Sequence, residues 1–397
     1  MKDVLDIFSY DPYDLWKTDI GIRVRRMFYE NRAFGKAGAI FLATIDWLFP
    51  LAARAMTGSR KSLHPITVSH LILLGKMNIS AVGCHFLTHY NPLGLLVELA
   101  SWRGDNGAWG WGVGFPWMSK NGLYPTDTPF VTHTPYVMEA LLALAQDDEE
   151  RSVAMDMFHG TWGFLETLKI MHQTNESMAI SYAPLSEPRI VINANAYGAF
   201  AYALHAIHGR YERQATAATR AKALARWIVS QQRYDGGWGY YADDLPGNFI
   251  DCFHSCFVLK NLLKTTQLLP ETADLLLPVI DRGGRFVRER FLDQKEGLCR
   301  RFLVRDIKDP YIWDIYDQAE FLGYLIDIGH LEEAFTFRKR VVDRFCSSDI
   351  WWCRIDCLGR RWGKMFLRWG IVPFWYHSTR LDIALSQSMK DKLICAE

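Results

Sequence analysis

The sequence predicts an all-helical (α/α)6 toroid, six helical hairpins around a central cavity, and three observations carry that prediction. Polar residues that open apolar helical runs recur at His70, His133, Asn193, His254, Asp317 and His377, with spacings of 63, 60, 61, 63 and 60 residues. Within that period, His133-Thr-Pro-Tyr-Val-Met-Glu-Ala-Leu141 aligns without gaps on His254-Ser-Cys-Phe-Val-Leu-Lys-Asn-Leu262, and Asp251-Cys-Phe-His254 with Leu259 aligns on Asp314-Ile-Tyr-Asp317 with Leu322. Strand signals are thin, because proline and glycine fall between helical runs rather than inside alternating ones.

Each element follows from the period. After every polar start comes an apolar stripe, such as Phe257, Val258 and Leu262 or Phe321, Leu322 and Leu325, which faces inward. Second helical segments fill the intervals, at residues 147–159, 211–231, 270–290 and 330–346. One repeat is therefore an inner helix, a turn and an outer helix, and stacked repeats close into a ring because none can bury its apolar face alone. The domain reading is an N-terminal helical extension over residues 1–60 and the toroid over 61–397.

Composition bounds the function. The chain of 397 residues is 49% hydrophobic and 22% charged, and 45 basic residues balance 44 acidic ones, so no global field points to nucleic acid. The 15 Trp, 17 Tyr and 23 Phe suit carbohydrate pockets, isoprenoid pockets and large cores alike. The charged start reads as no secretory signal, and eight cysteines in a long chain as free thiols, so the expected location is the cytoplasm. The apolar run at residues 37–53 is interrupted by Asp46 and Pro50 and reads as a buried or interfacial helix rather than a membrane span.

Glycine–tryptophan turns precede several inner helices: Asp105-Asn-Gly-Ala-Trp-Gly-Trp111, Gly160-Thr-Trp162, Asp235-Gly-Gly-Trp238 and Gly359-Arg-Arg-Trp362. The richest, Trp227-Ile-Val-Ser-Gln-Gln232-Arg-Tyr-Asp-Gly236-Gly-Trp238, resembles the QW repeat of squalene–hopene cyclases. With the sixfold period, the resemblance implies the terpenoid cyclase/protein prenyltransferase toroid superfamily, whose shape (α/α)6 glycosidases, lyases and epimerases share. Trp109-Gly-Trp-Gly-Val-Gly-Phe-Pro-Trp117, Ser181-Tyr-Ala-Pro184 with Val191-Ile-Asn-Ala-Asn195, and Asn248-Phe-Ile-Asp-Cys-Phe-His-Ser-Cys-Phe257 are similar to bacterial prenyltransferase/squalene oxidase repeat proteins encountered with exopolysaccharide genes. That implies a fold more firmly than a reaction.

The terpenoid chemistry itself is poorly matched. Class II cyclases need a D-x-D-D acid, and Asp243-Asp244 lacks its first aspartate; Asp147-Asp148-Glu149-Glu150 reads as a solvated charge run. Asp251, Cys252, His254 and Cys256 crowd one turn without metal-ligand spacing, so no metal or other cofactor is expected.

The ring of helix starts is the better candidate, since converging helix N-termini favour an anionic ligand. Asp317, His254, Glu320 and Asp251 supply acid/base groups, with Tyr197 or Tyr316 assisting. His133, Asn193, Asn195, His377 and His70 are candidate binding residues; Trp111 and Trp117 either stack on sugar rings or close the barrel. Arg300 and Arg305, with Arg301 between them, are placed to hold an acidic sugar. Against this stands helix capping, which any one polar helix start performs by default.

The expected function is an enzyme of bacterial polysaccharide biosynthesis, acting by acid/base chemistry on a glycan or lipid-linked saccharide as an epimerase, lyase or hydrolase. The alternatives are an isoprenoid cyclase or prenyltransferase, and a non-catalytic glycan-binding or assembly protein. Residues 351–376, where five Trp alternate with Arg354, Arg360, Arg361, Lys364 and Arg368, read either as a closing repeat packed on the N-terminal extension or as a peripheral membrane patch.

Overall fold

The computed structural model describes residues 6–104, 107–303 and 309–394, with side chains to residue 390. Asp105 and Asn106 of the first glycine–tryptophan turn, and Arg305, lie outside the described residues.

Six inner helices form the ring: Pro65–Lys76, Thr134–Leu144, Ile192–His208, Cys252–Leu268, Ile315–Asp327 and Val372–Ile394. Each packs on the next, and the sixth packs on the first to close the circle. The outer layer comprises a split pair, Ala81–His89 and Pro92–Glu98, then Asp148–Leu165, Tyr211–Ser230, Ala273–Phe291 and Leu331–Phe345. Among the described residues the sixth step has an inner helix and no outer one.

Burial separates the two layers as the sequence pattern demands. The third inner helix is buried on every face from Ile192 to His205, and its alanines at 194, 196, 199, 201 and 203 let neighbours approach closely. Outer helices carry one apolar stripe, as in Leu276, Val279, Ile280, Gly283 and Val287, and turn Arg282 and Arg285 to water. Asp251 and Asp314 start their inner helices as N-caps, accepting from the His254 amide at 3.2 Å and the Tyr316 amide at 3.0 Å. The His70 and His377 positions sit well inside their helices, and the cap of the first inner helix is His64, whose Nδ1 accepts from the Ile66 amide.

Small hairpins crown the end where the inner helices begin. Three are two-stranded; the fourth is a sheet in which Ile350–Asp356 lies between Arg361–Lys364 and Tyr311–Asp314. This sheet, which the sequence pattern does not announce, takes up much of the Trp/Arg-rich stretch. It meets two of the N-terminal helices, Ala33–Leu48 and Pro50–Met56, which follow Asp14–Lys17 and Asp19–Tyr29. The Trp362 indole donates to the Asp46 carbonyl at 2.8 Å, and the Trp47 indole to the Asp356 carboxylate at 2.9 Å.

The turn at Gln232, Gly236 and Trp238 is a mechanical tie. Gln232 donates to the carbonyls of Gly236 and Val279 at 2.9 Å each, linking two outer helices, while the Trp238 indole donates to the Ile228 carbonyl. Gly236 has φ +94°, and a Cβ on Gly283 would stand 2.6 Å from the Trp238 ring, so both positions require glycine.

His205, deep between inner and outer layers, bonds Thr161 at 2.9 Å, and burial lowers its pKa to about 3. Between about pH 6.5 and 3 the unfolded chain takes up a proton here that the folded chain refuses, so stability falls as pH falls, by up to about 1.4 kcal/mol per pH unit from this group. The stability deficit of His205→Gln relative to the native chain is expected to shrink as pH drops from 7 to 4 in urea titrations. A deficit that stays constant with pH would show that His205 is not buried as a neutral ring.

Candidate functional site

At the N-terminal ends of the inner helices the ring encloses a cavity of about 290 Å³. Tyr136, Tyr197, Phe257 and Tyr316, from the second to fifth inner helices, form its floor. Trp117, Phe130, Tyr182, Tyr240 and Phe249 come from the crowning loops, and Tyr13, Arg25 and Tyr29 from the N-terminal extension. Eight of its lining residues are tyrosines. That gives flat apolar faces edged with hydroxyls.

A buried polar network closes the axis beneath the floor. Lys260 donates to Glu320 at 2.7 Å and to the Tyr136 hydroxyl at 2.9 Å, and the hydroxyls of Tyr136 and Tyr197 are 2.6 Å apart. Burial alone would lower the Lys260 pKa, but the attraction of Glu320 outweighs it and keeps the ammonium charged.

On the cavity wall, His254 is held by Asp251, with both carboxylate oxygens 2.8 Å from Nδ1. Nδ1 is therefore the nitrogen that donates to Asp251, and Nε2 is the one not engaged by that pair. The imidazole also rests 4.0 Å from the Phe253 ring and 4.7 Å from that of Tyr240. His133 shows a related arrangement. Thr132 gives its proton to the Tyr182 hydroxyl at 2.9 Å and accepts from His133 Nδ1 at 3.0 Å. Burial lowers the pKa of His133 to about 3, so this ring is neutral.

Among the described residues, four that line the cavity present buried polar atoms with no protein partner: His133 Nε2, Asn193 Oδ1, Trp369 Nε1 and Arg25 Nη1. Buried atoms of this kind are costly unless something bonds them. Trp369 is also held at φ +75°, a conformation that costs a bulky residue about 1–3 kcal/mol. It is pinned by Arg368, which pairs with Asp11 at 2.7 Å, and its indole lies 5.1 Å from His64.

Among the described residues that line the cavity there is no carboxylate, whereas Arg25 and Lys120 bring cations. The carboxylates stand behind the wall. Asp317 is fully buried and accepts from the Phe253 amide at 3.2 Å; its second oxygen lies 3.2 Å from Arg301 Nε, close enough to attract but not aligned to bond. Burial raises its pKa to about 8 against the pull of Arg301. Glu320 is bound to Lys260, and Asp251 reaches the cavity only through His254.

Of the residues singled out from sequence, His133, Asn193, Tyr197, His254, Tyr316 and Trp117 meet at this cavity. The others take different places. Asn195 bonds the Ile180 amide at 2.7 Å and ties a hairpin to its helix; the buried Trp111 indole donates to the Leu96 carbonyl. His70 bonds the Ile66 carbonyl at 2.9 Å, and His377 occupies the space left by Gly323. Arg300 pairs with Asp293 on a separate groove, and Asp243 with Arg189 at 2.8 Å. Arg25, Lys120, Trp369 and His64 were not legible, since no repeat register marks the extension, the loops or the kink before the last helix.

Removing Lys260 alone leaves Glu320 charged and unpaired in the core, so Lys260→Met is expected to lose about 3–5 kcal/mol in urea unfolding. The double variant Lys260→Met/Glu320→Leu should recover most of that loss. A double variant as unstable as the single one would mean that the pair does not carry the closure.

No protein-family model matches the chain, and no curated protein matches it. Solved structures do. A cellobiose 2-epimerase from Bacillus thermoamylovorans superposes with a TM-score of 0.60 at 11% identity, over 82% of this chain and 88% of that one. A D-mannose isomerase gives 0.57 at 15% identity, over 82% and 87%, and an α-mannanase of family GH76 from Bacteroides thetaiotaomicron gives 0.55 at 13%, over 81% and 86%. These three act on sugars by name, so the terpenoid-cyclase assignment drawn from the glycine–tryptophan turns finds no support among them. At such identities the likeness is one of architecture, and what the chain shares with these enzymes is the α/α toroid fold.

Proposed function

We propose that this protein is a carbohydrate-active enzyme that abstracts a proton from an acidic sugar unit of a glycan. The observation that carries the reading is the His254–Asp251 pair, an oriented base on the wall of a cavity rich in tyrosine. His254 Nε2 takes the proton from the carbon beside the carboxyl group, and Asp251 stabilises the imidazolium that results. The electron pair moves into the carboxyl group, where Arg25, Lys120 and the converging helix N-termini offset the developing charge. Return of a proton to the opposite face gives an epimer, with the Tyr197 and Tyr316 hydroxyls as candidate donors; loss of a leaving group from the next carbon gives an elimination. Hydrolysis fits less well, because it calls for two carboxyl groups flanking the bond. Trp117 and the tyrosine faces suit sugar rings, whose C–H faces stack while their hydroxyls bond at the edge. The setting in polysaccharide biosynthesis belongs to this proposal through the exopolysaccharide resemblance.

A second reading, an isoprenoid diphosphate in the same cavity, draws on the five phenylalanines and two tryptophans of the lining and on the same two cations.

The test is deuterium wash-in at the acidic carbon, followed by NMR across a panel of uronate-containing oligosaccharides, with prenyl diphosphates as a parallel binding panel. Native protein should catalyse exchange, and His254→Asn should slow it by about 10²–10⁴-fold with binding retained. Exchange that survives in His254→Asn, or binding of prenyl diphosphates alone, would overturn the sugar reading.

A further inference from the structure

The helix Ala33–Leu48 is built inside out. Its stripe at Phe34, Ala37, Phe41, Thr44 and Leu48, spaced by three or four residues, faces solvent, and Phe34 is 84% exposed. Beyond Pro50 the same surface continues through Leu51 and Met56, the latter 79% exposed. The two buried positions of this helix are Gly35 and Asp46, with Gly38, Leu42, Ile45 and Trp47 only partly covered. A Cβ on Gly35 would stand 2.3 Å from the Met27 backbone, and Gly38 lies against Val24, so the helix seats its glycines on Asp19–Tyr29. Asp46 points inward and pairs with the fully buried Arg54 at 2.5 Å. Even the hydroxyl on the outward stripe is withdrawn, since Thr44 donates to the Ile40 carbonyl at 2.8 Å. A helix facing water shows the reverse order.

We propose that residues 19–56 dock on an anionic phospholipid surface, the apolar stripe entering the headgroup boundary while the cations meet the phosphates. Two observations select lipid over other occupants. The exposed charges of the hairpin are mainly basic: Arg32 and Glu30 pair with each other at 2.7 Å, which leaves Arg23, Arg26 and Lys36 against Asp19. In a twofold dimer the same patch meets itself, which sets those cations against their own copies. The element lies on the surface rather than crossing it: Ala33–Leu48 and Pro50–Met56 have 16 and 7 residues, and among the described residues no single helix is long and apolar enough to span a bilayer. The Trp/Arg-rich stretch at 351–376 is not the contact, as its sheet packs on the inward side of these helices through Trp362 and Asp356. The helix Asp19–Tyr29 joins both roles, with Arg25 and Tyr29 on the cavity and Arg23, Arg26 and Phe28 exposed.

The docking inference stands apart from the sugar reading and is tested without substrate. The full chain is sedimented with phosphatidylcholine vesicles that contain or lack phosphatidylglycerol, beside Phe34→Ser/Phe41→Ser and Arg23→Glu/Arg26→Glu. The expected result is salt-sensitive binding to the anionic vesicles, reduced about tenfold or more in each variant while circular-dichroism melting is unchanged. Native protein that stays in the supernatant with every vesicle would overturn the proposal. So would equal binding of all three proteins, or a solution dimer that the phenylalanine variant dissociates and that binds no vesicle.

Discussion

Six helices converging on one axis leave a channel that must be either filled or solvated, and the buried ion pair between Lys260 and Glu320, with the hydroxyls of Tyr136 and Tyr197, lies within it. Both charges are buried, so neither is stable there without the other and without the Tyr136 hydroxyl that completes the set. This closure divides the ring. Below it, His70 and His377 are packed as neutral core groups; above it, the tyrosine floor stays open to a ligand. The cavity floor thus rests on an ion pair that is not itself part of the lining.

The architecture was legible because it rests on periodicity. A residue recurring every sixty positions at the start of an apolar run reports a repeated hairpin whatever the residue is. Its exact phase was less legible. His70 and His377 fit the spacing but lie inside their helices, since the first inner helix begins at Pro65 and the last emerges from a kink at Trp369. The alignment of Asp251 and His254 with Asp314 and Asp317 is correct in register, and both leading aspartates are caps. Yet the third residue of each helix meets a different neighbour: His254 opens on the cavity, while Asp317 is enclosed by Arg301 and the Phe253 amide. Equivalent backbone positions do not fix equivalent surroundings.

The glycine–tryptophan turns show the same limit from the other side. Their residue types suggested a chemistry, but at Gln232, Gly236 and Trp238 they act as ties between outer helices. Aromatic side chains that do matter to a ligand, Tyr240, Phe249 and Trp369, are placed by loops whose course no local pattern reveals.

The circle is closed by the two ends of the chain. The last inner helix packs on the first, the Leu367 amide donates to Ser9, and Arg368 reaches Asp11 across 357 residues of sequence. Contacts this distant form late and slowly, because the chain between them must already be ordered. Without the sixth inner helix, the first and the fifth each keep one apolar flank uncovered. The cavity wall at Trp369 is completed by the same contacts, because Arg368 beside it pairs with Asp11.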